Sequence, residues 1–373
     1  MVALLTRTFH RLFLLERYLH SRLFRNQWHI PMAQENEQKA SNAEATNENA
    51  KTYQFSMATF NVWCPHWNDA EKYDEPKRWK ARHRNLTKIM LNYEEESNTH
   101  SKPPKQKNEE NAKNTNNNEE KADKESENSD TLPAMNCDLY CLQEFWCDRE
   151  DFTRIYETHF KAKNYALHSL KRAAKHKPDG LAVLYNKAIF ECVRTTDYKY
   201  SVSNRVAIIM ELRHKASHCL ITVACTHLTY PQDDSYDRQY LRPLQIKEFL
   251  QKTKETASKQ SSVTILAGDF NCEIDEHESK QCIKDGYQSS FHVVNPHMKG
   301  KKIVSHINHE SQAVFVDHIF FQKNANAEKE HSFSVKPVQS YLYPEQMKVD
   351  TWCDEWTLSD HRPVVTTFQL QRD

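Results

Sequence analysis

The chain has 373 residues, with 51 Lys and Arg against 51 Asp and Glu, so its formal net charge is zero. Only four glycines are present, with no GxGxxG or Walker A phosphate loop, and the even charge balance argues against a processive, sequence-independent binder of long duplexes. The ten cysteines include no CxxC pair, which argues against a zinc site. Those inside apolar runs (Cys141, Cys219 and Cys225) read as reduced core thiols of an intracellular protein.

Residues 1–30 hold five Arg and one Glu, interleaved with Leu and Phe at helical spacing, and no apolar run there can span a bilayer. Residues 1–32 are therefore expected to be an organelle-targeting segment, mitochondrial in kind; otherwise the protein is cytoplasmic. A surface helix and a true start at Met32 are the alternatives. Residues 33–52 read as a disordered linker, and the folded domain is expected over 53–371. Its first strand, YQFSMATFNVW, spans Tyr53–Trp63 and carries Asn61 near its end. Trp79–Asn92 has apolar residues at helical spacing. Residues 93–131 then hold eleven acidic residues and six Lys in a low-complexity run. Such a run cannot bury a core, so a disordered insertion is expected. Replacing it with a short Gly/Ser linker should leave the melting temperature within a few degrees. A collapse of stability or expression would show that it packs on the domain.

Order resumes at CDLYCLQEFW, a strand ending near Gln143 and Glu144. The preceding helix and this strand complete a β-α-β passage. Asp151–Phe160 is the next helix, followed by the strands GLAVLYN (preceded by Asp179), RVAIIMEL and CLITVACTHL, which carries His227. Arg238–Thr256 reads as a helix. VTILAGDFN, AVFVDHIFF and TLSDHRPVVTTFQL close the chain. About eight strands, several separated by short turns, predict an α+β fold of two packed mixed β-sheets flanked by helices.

The chemistry is organised around VTILAGDFNCEID, Val263–Asp275. Alternation along a strand puts Asp269 and Asn271 on one face, with Phe270 on the other. Asn61, Glu144, His227, Asp317, Asp360 and His361 also end or interrupt apolar runs. Any one is ordinary at a strand end. Eight together are hard to explain as stability, because clustered carboxylates repel unless a cation sits among them.

FNVW, LQEFW, PDGLAVLY, THL, GDFN, VDHIFF and SDHRPV occur in the order found in the endonuclease/exonuclease/phosphatase superfamily, which the chain resembles from about Phe55 to Leu370. The resemblance implies the DNase I-like fold, and PDGLAVLY with THL and GDFN is most similar to the deadenylase and nocturnin branch. SDHRPV is shared with inositol polyphosphate 5-phosphatases, but those carry Pro-Ala-Trp-x-Asp-Arg where this chain has VFVDHIFF. The VSHINH segment, Val304–His309, is not a deadenylase feature and suggests a separate subgroup.

The implied roles agree with the chemistry of phosphodiester hydrolysis. Glu144 is the leading ligand for Mg2+, or Mn2+, with Asn61 beside it and Asp360 completing the shell or positioning His361. Asp269 is the candidate base. Asn271 holds the water or a phosphate oxygen. Asp317 fixes the tautomer of His361, which contacts the scissile phosphate, and His227 is a second imidazole there. Asp179, Trp146 and Tyr230 are candidates for substrate binding, the aromatics by base stacking. The expected substrate is a phosphodiester, single-stranded RNA or a nucleotide derivative. A phospholipid or phosphoinositide is the alternative, and a catalytically inactive binding module is a third.

Overall fold

A computed structural model of the chain describes residues 51–68, 71, 77–92, 132–230, 240–323, 332–345, 347 and 356–373. The expected targeting segment, nearly all of the expected linker and the expected insertion lie outside the described residues. No described helix is long and apolar enough to cross a membrane.

The domain is the expected α+β sandwich. In chain order, β1 is Thr52–Asn61, α1 Lys77–Leu91, β2 Leu139–Trp146, α2 Glu150–Ala162, β3 Tyr165–Lys171, β4 Asp179–Asn186, β5 Phe190–Lys199, β6 Val206–His214 and β7 Leu220–His227. Then follow α3 Leu241–Thr256, β8 Ser261–Asp269, α4 His277–Lys284, β9 Gln288–Ser289, α5 Ser290–Val294, β10 His306–Ile307, β11 Ala313–Val314, β12 Asp317–Lys323, β13 Phe333–Leu342 and β14 Val364–Arg372. One six-stranded sheet has the order β13-β14-β1-β2-β4-β3 and the other β5-β6-β7-β8-β12-β9; β10 and β11 form a separate pair.

The period-2 alternation of each inner strand builds the layers. Phe55 and Met57 of β1, Ile221, Val223 and Cys225 of β7, and Val263, Ile265 and Ala267 of β8 meet in the core between the sheets. The intervening Ala58 and Phe60 face outward and pack with Leu86 of α1 and Phe152, Tyr156 and Phe160 of α2. On the second sheet, Ala224 and Leu266 pack with Ile246 and Phe249 of α3. The result is helix, sheet, sheet, helix. All nine described cysteines are free thiols, six of them in these three clusters.

Each sheet contains one parallel pair whose connection carries a helix, β1 with β2 and β7 with β8; the other pairings are antiparallel. Parallel pairing aligns the C-terminal ends of adjacent strands, and those ends carry Asn61, Glu144, His227 and Asp269. Besides the short β10, four strands were not anticipated from the sequence: β3, β5, β9 and β13. They are the four edges of the two sheets. β5 alternates exposed and half-buried residues, and β13 contains Pro337 at a register shift, as an edge strand tolerates. AVFVDHIFF is also broken, at Phe315–Val316, so Asp317 begins β12 instead of lying inside a strand.

Gly268 is required by close approach. A Cβ there would meet the Thr226 carbonyl oxygen at 2.1 Å, on the neighbouring β7. Gly268→Ala is expected to cost about 1–3 kcal/mol through displaced backbone, read as a lower melting temperature. An unchanged melting temperature would contradict this register.

Candidate active site

The site lies where the inter-sheet core ends. Inward alternation along β8 runs Val263, Ile265, Ala267 and then Asp269; along β7 it runs Ile221, Val223, Cys225 and then His227. Along β1 it runs Phe55, Met57, Thr59 and then Asn61. Asp269 is the register partner of both His227 on β7 and Asp317 on β12. Three polar residues therefore stand side by side across adjacent strands, directed into the gap between the sheets. Simple alternation on β2 would put Gln143 there. Instead the ladder shifts between Gln143 and Phe145, and Glu144 takes a left-handed φ of 56°. This bulge turns the Glu144 carboxylate into the cleft. Asn271 has φ 51° and Trp63 φ 53°; three non-glycine residues in this sparsely populated region around one cleft are the backbone strain characteristic of functional sites.

The cleft is about 440 Å3 and is lined by Asn61, Glu144, His227, Asp269, Asn271, Asp360 and His361, with Trp63, Trp67 and Tyr230 among the flanking aromatics. Asn61 Nδ2 donates to Asp269 Oδ2 at 3.1 Å and lies 3.4 Å from His361 Nε2, while Asn61 Oδ1 accepts the Trp63 backbone N–H at 3.0 Å. His227 Nε2 is 3.3 Å from Asp269 Oδ2. The Asn271 backbone N–H donates to Asp269 Oδ1 at 2.9 Å, and its side-chain amide donates to the Leu228 carbonyl at 2.9 Å. Asp317 lies behind the lining, with Oδ2 accepting from His361 Nδ1 at 2.9 Å. The His361 loop is pinned from several sides. Ser359 Oγ donates to the Asn61 carbonyl at 2.7 Å and accepts from the His361 N–H at 3.1 Å, and Trp356 Nε1 donates to the His361 carbonyl at 2.7 Å.

Electrostatics divide these groups into charged and neutral. Burial alone would lower the His361 pKa, but Asp317 and Asp269 beside it outweigh burial and hold it at about 10. His227 is pushed well below the usual histidine range by burial and by Arg205 and Arg172, so it is neutral. Asp269 is raised by burial. Glu144 is raised to about 7, by burial first and then by Asp360 and Asp179. Its described hydrogen bond comes from the Cys64 backbone N–H at 3.1 Å, which leaves the second oxygen for another partner.

That chemistry fits a divalent cation. Glu144 and Asp360 supply carboxylate oxygens, and Asn61 Oδ1 retains a second lone pair. This is an oxygen donor set suited to Mg2+ or Mn2+. Ligand-type atoms of His306, Asp360 and His361, and of Asp269, Asp317 and His361, also fall within 4.8 Å of one another. His361 Nδ1 is committed to Asp317, which favours the Glu144 side for the ion.

Two of the three substrate-binding candidates lie away from the cleft lining. Trp146 packs against Trp79 and Phe152, with ring centroids 5.6 and 6.1 Å away. Asp179 is 1% exposed and faces Arg172. Tyr230 does line the cleft, edge-on to His309. Of the other aromatics near strand ends, Phe291 and Trp356 are core residues. Sequence reasoning did not identify Asn204, Arg205, His306 or His309 as individual site residues, although all line the cleft. The signal for two of them was the VSHINH segment. His306 stacks on His361 with centroids 3.8 Å apart and planes 13° apart, and its Nδ1 donates to the Asp360 carbonyl at 2.8 Å. Burial and the neighbouring His361 lower His306 to about 3, so it is a neutral ring against a cationic one.

The two-sheet sandwich thus gathers carboxylates, amides and imidazoles at the ends of its parallel strands. Residues 58–361 match the family described as Endonuclease/Exonuclease/phosphatase family, and the chain belongs to it. A relative described as an uncharacterised calcium-binding protein of Arabidopsis thaliana is 24% identical over 213 residues, 54% of this chain and 44% of that protein. The chain thus spans less than half the length of that relative. Among solved structures, ANGEL2, a 2′,3′-cyclic phosphatase, aligns with TM-score 0.57 and 16% identity, covering 85% of this chain and 95% of that one. The human Nocturnin catalytic domain gives 0.55 and 16%, covering 87% and 97%. A mannosyl-6-phosphatase of Bacteroides thetaiotaomicron gives 0.50 and 16%, covering 84% and 99%. At such identities the likeness establishes the fold.

Proposed function

We propose that the chain is a Mg2+-dependent phosphodiesterase acting on single-stranded RNA or a nucleotide derivative, with Mn2+ able to replace Mg2+. The observation that carries this reading is the convergence of Asn61, Glu144, His227, Asp269, Asn271, Asp360 and His361 from both sheets on one cleft. A cation held by Glu144 and Asp360, with Asn61 beside them, would neutralise phosphate oxygens and polarise the phosphorus.

The remaining roles follow from the chain's own groups. Asp269 is the base that takes a proton from the attacking water; burial raises its pKa and so strengthens it as an acceptor. Asn61 and the Asn271 backbone N–H hold its two oxygens in place. The second amide hydrogen of Asn271 and the neutral His227 are donors for a phosphate oxygen. His361 presents Nε2–H to the phosphate as an imidazolium, and Asp317 holds the opposite ring nitrogen. Tyr230, Trp63 and Trp67 offer faces on which unpaired bases stack. Asp179 supports this lining from behind through Arg172.

The test is a substrate panel in Mg2+ and in EDTA: poly(A), mixed single-stranded RNA, NADP(H), sphingomyelin and phosphoinositides. Mg2+-dependent release from RNA or NADP(H) is expected. Release confined to the lipids would replace this substrate class, and no release from any of them would overturn the reading.

A further inference from the structure

The cleft has a second chemical character, set by Arg172, Lys177 and Arg205. Arg172 directly follows β3, Arg205 directly precedes β6, and Lys177 lies between β3 and β4. Arg205 is 9% exposed, and its Nε has no hydrogen-bond partner. A buried guanidinium cannot shed its proton to escape this situation, and an unmatched donor there is costly. Arg172 is held in place from one side. Its Nε donates to Asn204 Oδ1 at 3.0 Å and its Nη1 lies 3.5 Å from Asp179 Oδ2. Asp179 is itself buried, and its Oδ1 has no partner. Lys177 stands 4.4 Å from the centroid of the Trp67 ring.

The charges on this wall do not cancel. Arg172, Lys177 and Arg205 stand around one buried carboxylate, Asp179, and Arg205 also feels Glu144 and Asp269 of the hydrolytic end. Burial first, and then the neighbouring Arg172, lower Arg205 to about 10 and lower Lys177, so the cations repel one another. An arginine kept only to neutralise Asp179 would be paired with it through its own fork. Instead Arg172 makes that contact, and Arg205 Nε is left without a partner. The hydrolytic end has the opposite surplus, with Glu144, Asp269, Asp317 and Asp360 against His361. A bound cation answers that end and leaves the arginine wall unanswered. Guanidinium forks match phosphate oxygens in geometry, and a terminal phosphate carries close to two negative charges at neutral pH.

We propose that Arg205 and Arg172 form a subsite for a second phosphate of the substrate, separate from the scissile one. Preferred substrates then carry a terminal phosphate or a diphosphate near the bond that is cleaved. This rests on reading the cleft as a phosphodiesterase, and it narrows the substrate class.

The test uses the full chain in EDTA, titrated calorimetrically with inorganic phosphate and with pyrophosphate. The wild type is expected to bind. Arg205→Gln and Arg172→Gln should each weaken binding at least about tenfold, and Arg205→Lys should weaken it less than Arg205→Gln. If Arg205→Gln does not fold, as judged by its melting curve, Arg172→Gln carries the comparison. In Mg2+, the wild type should favour a short single-stranded RNA ending in a phosphate over its hydroxyl-ended form, and the Gln variants should erode that preference at least about fivefold. No anion binding by the wild type, or binding unchanged in folded variants, overturns the subsite. Arginine-dependent anion binding without any hydrolysis of the panel would leave the subsite standing and remove the hydrolase reading instead.

Discussion

Glu144→Ala and Asp269→Ala are each expected to lower turnover by at least about a thousandfold, equivalent to about 4 kcal/mol at ~1.4 kcal/mol per decade. The two losses differ in kind. In the proposed mechanism Glu144 acts through the cation, so excess Mg2+ or Mn2+ should partly restore Glu144→Gln. The role proposed for Asp269 is on the water, so no metal concentration should restore Asp269→Ala. Neither change should unfold the domain, because both carboxylates are carried above their ordinary pKa by burial and so oppose folding when ionised. For Glu144, a folded-state pKa of about 7, above the ordinary value, contributes stability that is lost as pH rises through 7. In EDTA at pH 8, Glu144→Gln should therefore melt higher than the wild type. Wild-type turnover in either alanine variant would contradict the site, and a lower melting temperature for Glu144→Gln would contradict the electrostatic account.

The second large effect is expected at Asp317 and His361. Asp317 is fully buried, and its Oδ2 meets His361 Nδ1 at 2.9 Å. Asp317→Asn keeps the shape but allows the other tautomer of the ring. It also removes the main charge that holds His361 at about 10 against burial. Turnover should fall at least about a hundredfold. With the imidazolium as the proposed active form, activity should be lost as pH rises through its pKa, and in Asp317→Asn that loss should move to lower pH. His361→Ala should cost at least as much, and the double variant little more than the worse single one. Strictly additive losses would show two independent residues. An unmoved alkaline limb with full turnover in Asp317→Asn would make Asp317 purely structural.

Much of this architecture was legible in the residues, and the exceptions have physical causes. Inner strands are buried on both faces, so RVAIIMEL, CLITVACTHL and VTILAGD stand out as apolar runs. Edge strands are not, and FECVRTTDYK and FSVKPVQSYL carry the exposed polar residues that keep an edge from pairing with another chain. In the site, residues that follow the alternation of their strand, such as Asp269 and His227, could be placed from sequence. Glu144 reaches the cleft through a bulge, which no alternation rule shows. Arg205 was invisible for a different reason: one arginine at the head of the apolar run RVAIIMEL looks like a solvated strand end until the fold buries it. His306 was marked only by an unfamiliar segment, and its stack on His361 depends on β10 meeting the loop that carries His361. Trp146 and Trp356 illustrate the converse, since aromatics near strand ends serve packing as readily as binding.

Metal-dependent phosphodiester hydrolysis at Asp269 is decided by a Mg2+ titration of single-stranded RNA cleavage. Wild-type turnover should rise and saturate with Mg2+ and vanish in EDTA, while Asp269→Ala should stay near zero at every concentration. Cleavage that persists in EDTA, or an Asp269→Ala curve that follows the wild type, would contradict the account.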